Sequence, residues 1–339
     1  MLDSLFAWLD LLPREKMAFA FGGCTPIEVS WIRSLSVREP HLEELLTECD
    51  TVLAEETGWS LKGRLAAFPQ DAVVTRASLL FPLQVSLQIA LFRLLRHYGF
   101  DAGNVIGLSI GEVAAAYAAG ALDLREALQV AVLTGRLLEP DAEGCRMAFL
   151  WLSAPECAQA IAPFGDRISI GCLLAPELTV VSGERSAVAA LLRDLSNAGY
   201  KTQPVPLPWG FHSCLLREGC ATFEAAMAPI PRRDTQRRLF STCRGDWMEA
   251  GFDATHWSQL AMSPSQLMPG VQRMQQDGVR LFLEVGRAGT MQSLISRIGG
   301  RAVALPNALA AAREAAGRPE PRGAACPVLP RAGQRTPTP

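Results

Sequence analysis

The chain has little imbalance of charge, no closely paired cysteines and few histidines, and each shortage removes a class of function. Its 339 residues carry 32 lysines and arginines against 34 aspartates and glutamates, a formal net charge of -2. The basic residues are spread out apart from an arginine-bearing stretch near residue 339, so there is no electrostatic footprint for nucleic acid, and none is expected as a partner. Nine cysteines stand at irregular positions with no C-x-x-C pair and an odd total. That pattern fits neither a disulfide framework nor a zinc site, so a reducing cytoplasm and no metal are expected. Residues 1–12 carry Asp3 and Asp10, lack the basic start and small-residue cleavage site of a secretion signal, and are too short to span a bilayer. Residues 1–15 read as an amphipathic segment that packs on the body or meets a partner, with packing the favoured reading, and no membrane is expected as a partner. No internal repeat is found, and 49% hydrophobic residues are ample for a buried core.

What is there centres on Asn104-Val-Ile-Gly-Leu-Ser-Ile-Gly-Glu112 and the alanine-rich run to Gly120, which read as a short apolar strand, a sharp turn and a helix. Gly107 and Gly111 flank Ser109 in a G-x-S-x-G arrangement, where small neighbours allow a tight bend and leave the serine oxygen at the strand end. A chance serine in a turn is the plain alternative; the strand before it and the helix after it favour a nucleophile. Backbone N–H groups at the start of that helix would face a developing oxyanion.

Lys16–Cys24 has the apolar run ending in glycines expected of a buried strand that opens into a loop, and it should lie beside the strand before Ser109. Helical periodicity covers His41–Glu55 and Leu83–Tyr98. Between residues 146 and 207 the pattern becomes strand, helix, strand, strand, helix, strand, the order of a ferredoxin-like subdomain inserted into a larger domain. The chain then returns with Arg238–Thr242, a helix through Met268–Gln276 and the strand Arg280–Gly286. From residue 308 apolar periodicity gives way to Pro, Gly, Ala and Arg, and residues 308–339 read as a disordered tail.

A nucleophilic serine needs a base, and four histidines are available. His97 and His41 stand at predicted helix ends and read as structural; His256 reads as a surface or packing residue. His212, in Pro208-Trp-Gly-Phe-His-Ser213, follows a strand end, and its neighbours suit either a catalytic base or a buried structural histidine.

Gly107-Leu-Ser-Ile-Gly-Glu112 and the run to Leu128 resemble the Gly-His-Ser-x-Gly-Glu block of malonyl-CoA:acyl carrier protein transacylases and of polyketide synthase acyltransferases. Trp209-Gly-Phe-His212, Leu178–Glu184, Arg238–Thr242 and Glu284-Val-Gly286 look like further blocks of that family, so the resemblance covers about residues 16–300. It implies a Ser109–His212 dyad. It also implies an oxyanion hole from the backbone N–H groups of Cys24 and Ile110, and a backbone carbonyl at Leu260 that orients the imidazole. No bound cofactor is implied; the substrates would be acyl-CoA or an acyl group on the phosphopantetheine of an acyl carrier protein, the implied partner.

Departures from the family pattern point to the substrate. The family's carboxylate-binding arginine is replaced by Thr134, and Arg136, two residues on, should face elsewhere on the helix. Leu108 replaces a histidine, Ala77 a glutamine and Leu174 an asparagine, while Trp209 and Phe211 complete the predicted pocket. Threonine cannot neutralise a buried carboxylate, so a non-dicarboxylic acyl group is expected. The reading is therefore an atypical discrete acyltransferase of polyketide-type biosynthesis that passes such a group through an acyl-Ser109 ester to or between carrier thiols. An acyl-acyl carrier protein hydrolase using the same dyad is the alternative, and a non-catalytic carrier-binding subunit the alternative of another class. The expected fold class is α/β. An α/β-hydrolase-like large domain with a parallel sheet, residues 16–145 and 208–307, would carry an inserted ferredoxin-like small subdomain, residues 146–207.

Overall fold

The structure, a computed structural model, describes residues 12–139, 144–287, 289–304 and Leu309. Most of the N-terminal amphipathic segment and all of the 308–339 tail except Leu309 lie outside the described residues. The chain begins with β1 (Met17–Phe21), the ribbon strand β2 (Ile27–Glu28), helices α1 (Val29–Arg38), α2 (Pro40–Thr57) and α3 (Leu61–Ala67), and the second ribbon strand β3 (Val73–Val74). Next come α4 (Ala77–His97), β4 (Asn104–Gly107), α5 (Gly111–Ala119) and α6 (Leu124–Leu137). The inserted segment contributes β5 (Cys145–Leu150), α7 (Ala154–Ile161), β6 (Ile168–Ala175), β7 (Leu178–Glu184), α8 (Arg185–Asn197) and β8 (Thr202–Pro204). The return supplies α9 (Arg217–Met227), β9 (Arg238–Ser241), β10 (Asp246–Trp247), α10 (Ala254–Met262), α11 (Leu267–Gln276), β11 (Leu281–Val285), α12 (Thr290–Arg297) and β12 (Ala302–Val303).

The large sheet runs β10-β9-β4-β1-β11-β12 and is parallel except for the edge hairpin of β9 and β10. Every residue of β1, β4 and β11 is buried, the signature of a parallel sheet covered on both faces. Phe21 pairs with Gly107 on one side and Val285 on the other, so the three central strands end together at one edge. Loops leaving that edge are where an open α/β sheet places its chemistry.

Helix α4 starts at Ala77, six residues before the onset read from periodicity, and carries Pro82 inside it. The lost backbone hydrogen bond is tolerated because burial continues through nearly the whole helix, and tertiary packing outweighs local propensity. By length and composition α4 could cross a membrane, but 89% of its most apolar window is buried inside this fold.

The small sheet has the order β6-β7-β5-β8 with every pair antiparallel, the ferredoxin-like arrangement. Strand alternation splits its residues between two environments. Ala148, Leu150 and Val181 pack with Val188 and Leu191 of α8 in a core of the subdomain's own. Met147, Phe149, Leu178 and Val180 point the other way, into the cleft against the large domain. The fold is thus α/β, an α/β-hydrolase-like domain with an inserted ferredoxin-like subdomain.

Candidate active site

Ser109 sits in the turn between β4 and α5 with φ 56°, and His212 has φ 60°; among the described residues these are the two non-glycine residues with positive φ. Left-handed backbone at a bulky residue is costly and marks a constrained turn. The flanking glycines are needed for close approach. A Cβ on Gly107 would collide with the Glu112 backbone, and one on Gly111 would lie 2.5 Å from the Gly22 carbonyl oxygen.

The turn brings Ser109 Oγ to 2.7 Å from His212 Nε2. His212 Nδ1 is 2.8 Å from the Ser263 carbonyl oxygen. A carbonyl can only accept, so Nδ1 carries the proton and Nε2 is free to accept from the serine hydroxyl. Here the orienting group differs from expectation: Ser263 provides the close contact, and the Leu260 carbonyl is a second backbone acceptor for the ring. Both lie at the C-terminal end of α10, where the last turn leaves carbonyls without helical partners, so which of them meets the ring depends on where the helix stops. Full burial pushes His212 down to about 4, and the hydrogen bonds to the Ser263 and Leu260 carbonyls oppose it only in part.

Gly22 and Gly23 lead into the loop at the end of β1. Gln88 Nε2 donates to the Gly22 carbonyl at 2.7 Å and Gln84 Nε2 to the Gly23 carbonyl at 3.2 Å, which fixes the loop from the α4 side. The backbone N–H groups of Cys24 and Ile110 donate to no backbone carbonyl among the described residues. The Ser109 N–H, by contrast, is occupied by Ser265 Oγ at 3.1 Å. Burial pushes the Cys24 thiol well up, so it stays protonated.

A cavity of about 540 Å³ opens beside Ser109 and Cys24, between the two parts of the fold. Leu108, Leu174, Trp209 and Phe211, all expected at the pocket, line it, joined by the cleft-facing side chains of β5 and β7. Trp209 is pinned by its indole N–H, 2.9 Å from the Thr75 carbonyl oxygen, and Phe81 packs edge-on against both Trp209 and Phe211. Ala77 and Thr134 do not line the cavity, which corrects their placement there. Both are buried where α4 meets α6: Thr134 Oγ1 donates back to the Val130 carbonyl at 2.7 Å, and a Cβ on Gly135 would lie 2.7 Å from the Ala77 carbonyl oxygen. Two helices this close leave short side chains no route to the cleft. Arg136 is exposed on another face.

One face of α12 forms the rim. Thr290, Ser293, Leu294 and Arg297 recur at helical spacing along the cavity, and Arg297 is its one charged lining residue among the described residues. The buried Glu284 sets this helix by accepting from the N–H groups of Gly289 and Met291, each at 2.9 Å. Sequence reading found β5 and β7 as strands but not as the wall of the cavity, and it did not find α12, although the helical spacing of Thr290, Ser293, Leu294 and Arg297 was there to be read.

His256 is not on the surface. It is fully buried on α10, with Nε2 2.9 Å from Glu112 Oε1. Ser241 Oγ and the N–H groups of Thr242 and Cys243 also donate to the Glu112 carboxylate. Burial alone would push that carboxyl up, but His256, Ser241 and Thr242 more than offset it and hold it below its usual range.

A strained serine between strand and helix, in contact with an imidazole under an inserted ferredoxin-like subdomain, defines a class. The model of the acyl transferase domain family matches residues 33–308, and the chain belongs to that family. A polyketide synthase of Streptomyces halstedii is 29% identical over 296 residues, which are 86% of this chain and 4% of that protein, so the chain spans a small part of the synthase it matches. Among solved structures, a loading acyltransferase from the avermectin modular polyketide synthase superposes with a TM-score of 0.82 at 24% identity, covering 89% of this chain and 100% of that one. The malonyl-CoA:acyl carrier protein transacylase of Xanthomonas oryzae pv. oryzae shares the fold with a TM-score of 0.79 at 22% identity, covering 90% and 99%.

Proposed function

We propose that this protein is a polyketide-type acyltransferase that loads a non-dicarboxylic acyl group onto Ser109 and passes it to the phosphopantetheine thiol of an acyl carrier protein. The observation that carries the reading is the apolar lining of the cavity beside Ser109, whose one charged residue among those described, Arg297, is exposed at the rim. A free carboxylate on the acyl group would enter that cavity without a partner, at a cost of several kcal/mol.

In the first half-reaction Ser109 gives its proton to His212 Nε2 as its oxygen attacks the thioester carbonyl. The N–H groups of Cys24 and Ile110 hold the resulting oxyanion. Collapse breaks the C–S bond, and the departing sulfur takes the proton from His212. In the second, the acceptor thiol gives its proton to His212 and attacks the Ser109 ester; Ser109 leaves and recovers that proton. No bound cofactor takes part, and the substrates are acyl-CoA or acyl carrier protein thioesters. Arg297 would meet the phosphate of the pantetheine arm.

The test is intact-mass measurement after incubation with a panel of thioesters, malonyl and methylmalonyl among them. Straight-chain or other uncharged acyl adducts should form, vanish in Ser109→Ala, and transfer to an added carrier protein faster than they hydrolyse. Preferential malonyl loading would overturn the acyl class, and release at the same rate with and without the carrier would make the protein a hydrolase.

A further inference from the structure

Behind the Ser109 turn, on the side away from the cavity, lies a run of buried polar groups that the acyl-transfer steps do not use. Ser109 N–H donates to Ser265 Oγ at 3.1 Å, and Ser265 Oγ donates to Thr242 Oγ1 at 3.0 Å. The Thr242 hydroxyl donates its one proton to the Gly107 carbonyl oxygen at 2.7 Å, and the Thr242 backbone N–H donates to Glu112 Oε2 at 2.9 Å. Ser265, Thr242 and Glu112 are each no more than 1% exposed. The run therefore grips the turn on both sides of its strained residue, at Gly107 and at Ser109, and ends on a carboxylate. Ser265 has a second attachment: its N–H donates to the Gly171 carbonyl at 2.8 Å, and its own carbonyl accepts from Leu173 N–H at 2.9 Å. Those residues flank Cys172 on β6, a strand that forms part of the cavity wall.

Glu112 is ionised in this setting. Four donors, Ser241 Oγ, the N–H groups of Thr242 and Cys243, and His256 Nε2, converge on its two oxygens, whereas a protonated carboxyl would set its own hydrogen against one of them. A carboxylate oxygen accepts, so His256 donates to it from Nε2, and its Nδ1 has no partner among the described residues. Among the described residues no carboxylate touches His212, whose Nδ1 meets only backbone carbonyls.

We propose that Glu112 is a positioning residue for acyl transfer, acting through Thr242 and Ser265 to fix the Ser109 turn and supplying the buried negative charge that steadies the His212 imidazolium formed in each half-reaction. The charge favours protonation of His212, in opposition to burial. The proposal rests on the Ser109–His212 reading and extends it to residues that touch neither substrate nor the reacting atoms. The ionisable groups facing Glu112 are His256 from α10 and the Cys243 thiol from the turn after β9; those facing His212 are Ser109 and, through space, Glu112.

The experiment pairs Glu112→Gln with Ser265→Ala in the full chain. In Glu112→Gln the side-chain amide keeps the shape of the carboxylate, with its oxygen where Oε2 was, and removes the charge. Two quantities are read: the rate of Ser109 acylation by quench and intact mass, and the titration of the His212 ring by NMR of ring-labelled protein, assigned with His212→Gln. Glu112→Gln should slow acylation about tenfold and move the His212 titration to lower pH. Ser265→Ala should slow acylation about ten- to a hundredfold while KM holds. A role confined to packing would slow the reaction without moving the His212 titration. An unmoved titration together with acylation within about twofold of the parent in both variants overturns the proposal. If Glu112→Gln does not fold, the Ser265→Ala rate decides. Ser109→Ala and His212→Ala are run alongside: adducts that persist in them mean the dyad itself is wrong, whereas adducts lost there but undisturbed in the relay variants leave the dyad standing and remove only the relay.

Discussion

At Ser109 the backbone holds φ 56°, and the constraint is enforced by atoms on every side. Gly107 and Gly111 tolerate contacts that no side chain could, so Gly107→Ala or Gly111→Ala should lower stability by about 3 kcal/mol or more, read as a loss of unfolding midpoint together with loss of the adduct. The residue opposite has a pH signature. Because burial pushes His212 down to about 4, the ring is neutral and able to accept a proton at any pH well above that, and the acid limb of the acylation rate should fall near pH 4. An exposed imidazole would put it near 6.5. The stability consequence has the same sign. The folded value is depressed below the unfolded one, so the contribution is whole above about pH 6.5 and is lost as pH falls toward 4, the unfolded chain binding the proton first. Urea titrations across that window should show a fall in stability that His212→Gln reduces.

At the scale of the element, the wall of the cavity is one face of a β-sheet and the rim one face of a helix. Val180 on β7 and Met147 on β5 point into the cleft while their neighbours Val181 and Ala148 fill the subdomain core. Val180→Phe should therefore shorten the longest acyl group loaded onto Ser109 without unfolding the subdomain, whereas Val181→Phe, set in its closed core, should cost about 1–3 kcal/mol. A thioester panel and a thermal melt separate the two outcomes. On α12, Arg297 lies two turns from Thr290, roughly 10 Å along the axis, far enough to meet the arm of a thioester whose carbonyl is at Ser109. Arg297→Ala should raise KM for carrier-borne or coenzyme A thioesters and leave the loading of a short phosphate-free thioester unchanged.

Over the whole molecule, the site is assembled from stretches far apart in the chain: the loop after β1, the Ser109 turn, the inserted subdomain with the segment to His212, the end of α10, and α12. The strand ends of β1, β4 and β11 meet at one sheet edge, the inserted subdomain roofs that edge, and the segment leaving the roof delivers Trp209, Phe211 and His212. Much of this was legible. The nucleophile turn combines a strand, two glycines and a helix within one short stretch, and the insertion declares itself by a change of rhythm from helical to strand-rich. What escaped notice is order that comes from burial: the first turns of α4, up to Pro82, and α10, which begins in a stretch that reads as polar around His256.

What the sequence determined by itself is local. The bend at Ser109, the alternation of β5 and β7 and the αL glycine that ends α2 all follow from residue types over a few positions. What only the tertiary structure decided is which distant groups share a dry space. The tautomer of His212 follows from the carbonyl that happens to face it, and the charge of Glu112 from four donors brought in by separate segments. Thr134 lies outside the cavity because α4 and α6 pack too closely to let it in. The division has one physical cause: backbone geometry is set by nearest neighbours along the chain, whereas protonation and solvation are set by neighbours in space.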